Sequence, residues 1–132
     1  MDKTFIQSME VGYYFQKELY DNDNTIDWNG SEQCSTFAKI IVDYAEENNC
    51  DIDIAFYEIK DKAINEINNN KMLCIDNMCT YNIWNNYCKG FLAGEIIGLP
   101  TEENLIKVEK AEKLWENEEK YGYYQEVLEE VK

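Results

Sequence analysis

The sequence predicts a mainly α-helical protein: a compact bundle of four to five helices, with a small β-hairpin near 72–81 as the one strand candidate. Three observations carry this expectation. Apolar residues recur at helical spacing in several separate stretches. The 132 residues include one proline and six glycines, too few turn formers for a sandwich or barrel of many short strands. Apolar residues make up 45% of the chain and aromatics 14%, a globular composition that suits a single domain over 1–132 with one core.

The first element spans about 4–20, where Phe5, Met9, Tyr13 and Tyr20 fall near helical spacing. Gly12 and the run Tyr13-Tyr14-Phe15 weaken that pattern and leave a strand as the alternative. Residues 21–31 are dense in Asp and Asn and read as a loop, with Ser31 placed to cap the next helix. In that helix Phe37, Ile40, Ile41, Tyr44 and Ala45 form one stripe, and Asn48-Asn49 ends it. Asp51 is placed to cap a third helix, in which Ile52, Phe56, Ile59, Ala63 and Ile67 share a face. The alternation Ile52, Ile54, Phe56 also fits a strand, but the longer pattern favours the helix.

Asp76-Asn77 sits between two apolar runs and suits a two-residue hairpin turn, which would pair Cys74 with Cys79; a plain loop is the alternative. Thr80 is placed to cap a fourth helix running to about 98, with Ile83, Trp84, Tyr87, Cys88, Phe91 and Leu92 on its apolar face. Gly90, Gly94 and Gly98 recur every four residues there. Small residues at that spacing on one helix face permit close approach of another backbone. Leu99-Pro100 breaks the chain, and Thr101 caps the last stretch, with Glu102 and Glu103 well placed at its positive end. Gly122 is a point at which that stretch kinks or divides.

Charge bounds the function more tightly than any motif. There are 27 acidic side chains against 12 basic ones, and all twelve are lysine, for a formal net charge of -15. Histidine and arginine are absent, which removes the ordinary triad base, the imidazole metal ligand and the bidentate phosphate clamp. No Gly-rich phosphate loop or nucleophile motif appears, so the expectation is a protein that is not an enzyme and needs no cofactor. The acidic-residue spacing from Asp21 to Glu32 resembles a calcium loop but has Ile26 where the glycine belongs. Cys50, Cys74, Cys79 and Cys88 match no common zinc spacing, so no metal is expected. Five cysteines at irregular spacing read as reduced thiols, and Met1-Asp2-Lys3-Thr4 lacks the basic and apolar start of a secretory signal. No run reaches the roughly 18–20 apolar residues that span a bilayer. The expected compartment is therefore the cytoplasm.

The charge is uneven. Residues 2–66 and 101–132 are strongly acidic, whereas 67–100 balance two acids against two lysines. Nucleic acid and anionic membrane are disfavoured as direct partners, and a basic protein surface is favoured. The sharpest candidate for that contact is the C-terminal stretch. Glu109, Glu112, Glu116 and Glu119 recur at helical spacing, with Glu126 and Glu130 continuing the row and Tyr121, Tyr123 and Tyr124 as aromatic anchors. The expected function is an acidic inhibitor that imitates nucleic acid in the groove of a nucleic-acid-binding enzyme. Small phage and mobile-element proteins that block restriction or CRISPR enzymes have this general character. One alternative is a structural protein that self-associates, as a homodimer for instance, through the neutral 67–100 segment. Another is an antitoxin or immunity protein.

Overall fold

The computed structural model describes residues 2–20, 31–69, 81–117 and 120–132, with only the backbone path described at 20, 31–32 and 81–84. Every regular element among them is helical, in the order α1 (Lys3–Phe15), a π-helical turn (Gln16–Tyr20), α2 (Ser31–Glu47), α3 (Ile52–Asn68), α4 (Tyr81–Ile96), α5 (Glu102–Asn117) and α6 (Tyr124–Val131). The mainly α-helical class is as expected, but the described residues hold six α-helices rather than four or five. The final stretch is not one helix: it stops at Asn117 and resumes at Tyr124. The candidate hairpin lies outside the described residues, except for Tyr81, which opens α4.

The helix ends follow local chemistry. Asp2 caps α1 by accepting from the Thr4 backbone N–H at 2.7 Å. Thr101 caps α5, its hydroxyl accepting from the Asn104 N–H at 3.2 Å. α2 ends in a Schellman arrangement. Asn49 takes φ 50°, and the Cys50 N–H returns to the Ala45 carbonyl at 3.0 Å. Asp51 does precede α3, but its carboxylate makes no cap hydrogen bond.

Two apolar clusters share a central wall. Phe15, Phe37, Phe56 and Phe91 pack edge to face between α1, α2, α3 and α4, with neighbouring ring centroids 5.1–6.4 Å apart. Phe5, Met9, Ala93, Val108, Val127 and Leu128 fill a second cluster, which ties α5 and α6 to the opposite side of the same α1–α4 pair. α4 therefore supplies both clusters, which is why its sequence is neutral and apolar.

α1 and α4 pack backbone to backbone. A Cβ added at Gly94 would fall 1.9 Å from the Met9 carbonyl oxygen, and one at Gly12 would fall 2.0 Å from that of Phe91. At Gly90 it would meet the Phe5 carbonyl at 2.5 Å. The glycine spacing in α4 thus does what it promised, and Ser8 and Gly12 form the matching small pair on α1. Gly12, which weakened the helical pattern of 4–20, is present because the seam has no room for a side chain. Gly98 does not belong to the row: it lies beyond α4 at φ +124°, in the left-handed half of backbone space.

Gly94→Ala should lower the unfolding free energy in urea by about 2–4 kcal/mol, since backbone cannot yield as a side chain does. Gly122→Ala is the control. Its added methyl meets nothing nearer than Glu126 Oε1 at 3.7 Å, so stability should stay the same or rise by up to about 1 kcal/mol.

Candidate protein-binding surface

The acidic row does not stand as one ridge. Glu109 and Glu116 are exposed on α5 and make no side-chain bond among the described residues. Glu112 between them is half-buried and spent on structure. Its Oε2 takes Lys89 Nζ at 3.0 Å and its Oε1 accepts from the Tyr124 hydroxyl at 2.7 Å. Lys89 also lies 4.8 Å from the centre of the Tyr124 ring, so one charged triad joins α4, α5 and α6. Glu102, Glu109 and Glu116 are what remains in line, about 10 Å apart at seven-residue intervals rather than one turn apart. Glu119 lies outside the described residues.

The continuation into α6 differs as well. Because α6 is a separate helix, Glu126 and Glu130 do not prolong the α5 face. Glu126 is exposed, while Glu130 accepts from the Tyr121 hydroxyl and sits 4.0 Å from Lys120. Of the three tyrosines only Tyr123 is an open anchor, at 74% exposure. Tyr121 is half-buried, and Tyr124 is a core residue packed on Trp115 at 5.8 Å between ring centroids. Burial, then the neighbouring Glu112 charge, pushes the Tyr124 hydroxyl far above the ordinary tyrosine range.

A second surface, not apparent from the sequence, forms where α1 meets α3. Ile54 and Tyr57 are 45% and 48% exposed, although most large apolar side chains of the protein are inside. Tyr57 stacks edge-on to Tyr14 at 6.1 Å and donates its hydroxyl to Glu18 at 2.8 Å. That bond, with lesser contributions from burial and nearby negative charge, pushes the Tyr57 hydroxyl up to about 12. Beside this patch a cleft of about 520 Å³ opens, lined by Gln7, Glu10 and Tyr14 of α1, Glu46 of α2, and Asp51 and Asp53 at the start of α3; among the described residues Lys3 is the one cation on its wall. Glu10 is partly buried there. Burial first, then the charges of Asp53 and Asp51, holds its carboxyl above the usual range. The sequence held only the local half of this patch's signal. Ile54 and Tyr57 fall off the Ile52–Phe56–Ala63–Ile67 stripe, on the charged side of the helix.

Among the described residues no cluster of three or more Asp, Glu or Cys could hold a metal, and no helix is long and apolar enough to cross a membrane. Residues 21–30, Cys74 and Cys79 lie outside the described residues. Cys34, Cys50 and Cys88 form no disulfide among the described residues. Burial, followed by the charges of Glu95 and Cys88, raises the Cys34 thiol well beyond the range of a reactive cysteine.

Glu112→Ala should cost about 1–3 kcal/mol in urea unfolding, because it strands Lys89 and the Tyr124 hydroxyl, whereas Glu109→Ala should stay within about 0.5 kcal/mol. Glu95 tests the charge of α4. Burial pushes its carboxyl up to about 7, so the folded protein holds a proton that the unfolded chain has already released. Stability from this group is complete below the ordinary glutamate range and is lost as pH rises through about 7. Glu95→Gln should therefore exceed the parent in stability by about 3 kcal/mol at pH 8 and by much less at pH 4, read from urea midpoints. Comparison with protein-family models, curated proteins and solved structures finds no match for this chain.

Proposed function

We propose that this chain is an acidic, non-catalytic binding protein that engages a basic surface of another protein. The form of that role we favour is an inhibitor that occupies the nucleic-acid-binding groove of an enzyme, in the manner of phage and mobile-element inhibitors of restriction or CRISPR enzymes. The observation that carries it is where the charge lies. The only polar residues in the interior of the described structure are Ser8, Ser35 and Thr36, so no carboxylate is given over wholly to the core. Most carboxylates of the described residues are therefore exposed, in a chain of formal net charge -15 with no arginine or histidine to temper it. Such a field speeds encounter with a basic partner and repels nucleic acid and anionic lipid.

Exposed Glu109, Glu116 and Glu126, with Tyr123 nearby in the chain, remain the part of the C-terminal acidic stretch available to imitate phosphates. Their spacing is wider than one helical turn, which supports contact with separated basic side chains more than close tracking of a phosphate backbone. An antitoxin or immunity role needs the same basic partner and is supported by the same charge. Self-association through 67–100 has less support, since Gly90 and Gly94 are already packed on α1 of the same chain.

Immobilised protein should capture from a cell extract a basic, nucleic-acid-binding protein that elutes at moderate salt, where the Debye length falls below about 8 Å. Replacing Glu109, Glu116 and Glu126 together by Gln should weaken that partner about tenfold at low salt, and duplex DNA should compete with it. Capture indifferent to salt, or a partner that still binds DNA normally when saturated with this protein, would refute the inhibitor role.

A further inference from the structure

We propose that the Ile54–Tyr57 face of α3, with the acidic cleft beside it, is a docking surface for a basic segment of a protein partner in which an apolar side chain is flanked by lysine or arginine. This rests on the reading above and gives it an address.

Ile54 and Tyr57 are three residues apart on a helix, so they share one face, and each leaves nearly half its surface in water. Their surroundings are acidic on both sides. Asp53 adjoins Ile54 in the chain, Glu18 holds the Tyr57 hydroxyl, and Glu58 is exposed next to Tyr57, holding the Tyr44 hydroxyl at 2.6 Å. Tyr14 connects this patch to the cleft: it touches Tyr57 on one side and lines the cleft wall on the other.

The cleft supplies acceptors in excess of donors. Among the described residues that line it, Glu10, Glu46, Asp51 and Asp53 are accompanied by a single cation, Lys3. Gln7, on the same wall, has a buried Oε1 that receives no hydrogen bond among the described residues. A guanidinium or ammonium brings donors and positive charge, the two things this wall lacks.

Charge complementarity selects the occupant. A nucleic acid or anionic membrane would bring phosphates against four carboxylates. A second copy, docking through the same patch about a twofold axis, would oppose the acidic rim to itself. A purely charged segment would leave Ile54 and Tyr57 wet, so an apolar residue between basic ones is the match.

Two labelled octapeptides test this, Lys-Lys-Leu-Lys-Lys-Leu-Lys-Lys and the same peptide with Ser in place of Leu. Fluorescence anisotropy and amide shift mapping would be run on the full chain at low salt. The leucine peptide should bind about fivefold more tightly than the serine peptide, an amount set by partial burial of a leucine. Its shifts should cluster at α1 and the start of α3. Ile54→Ser with Tyr57→Ser should abolish the leucine advantage, whereas Ile106→Ser, at a still more open isoleucine on α5, should leave it intact; circular dichroism checks that each variant keeps its helices. Equal binding of the two peptides, or shifts centred on α5 and α6, would overturn the docking surface while leaving the wider acidic-binder reading in place. If neither peptide binds, both fall.

Discussion

The fold depends on the contact between the α1 and α4 backbones. With Gly94 over the Met9 carbonyl and Gly12 under that of Phe91, the two helices sit closer than any side chain permits. Residue 90 meets residue 5, and residue 94 meets residue 9, so the helices run in the same direction. This seam forms the wall on which two separate apolar clusters are built. Phe15 and Phe91 lean from it toward α2 and α3, while Phe5, Met9 and Ala93 lean toward α5 and α6. Each mid-helix glycine costs about 1 kcal/mol in helix propensity, which the close packing offsets.

The same arrangement sorts the charge. Because α4 serves both clusters, it has little surface to give to carboxylates, and burial pushes the carboxyl of its acidic residue Glu95 up to about 7. The other acids of the described helices are left to the surfaces of α1, α2, α3, α5 and α6. Some are then drawn into structure: Glu112 into the triad with Lys89 and Tyr124, Glu130 with Tyr121, Glu58 with Tyr44. The available carboxylates are fewer and wider apart than a count along the chain implies. Several of them converge on the concave wall of the α1–α3 cleft.

Much of the fold was legible because its signals are local. The stripe through Phe37, Ile41 and Ala45, the Asn48-Asn49 stop and the Thr101 cap each depend on neighbours within a turn or two, and each formed where expected. α1 was ambiguous because Gly12 counts against a helix until α4 is laid against it. The break between α5 and α6 was signalled by Gly122, but periodicity alone cannot tell a kinked helix from two. The candidate surface was less legible. Helical spacing put Glu109, Glu112 and Glu116 on neighbouring positions, yet only the approach of Lys89 and Tyr124 takes Glu112 out of the row. The α1–α3 patch joins residues some forty positions apart, such as Glu18 and Tyr57, and no local pattern announces such a pair.

By itself the sequence determined the helical class, most helix ends, the net charge of -15 and the lack of imidazole and guanidinium chemistry, because these are properties of composition or of contacts within a helical turn. Tertiary structure alone decided which glycines bear the packing, which glutamates are spent on lysine and tyrosine, and where Ile54 and Tyr57 meet an acidic cleft. Those outcomes depend on distances between helices, and pairings across the chain are set by how whole faces pack, a matter that spacing along one helix does not encode.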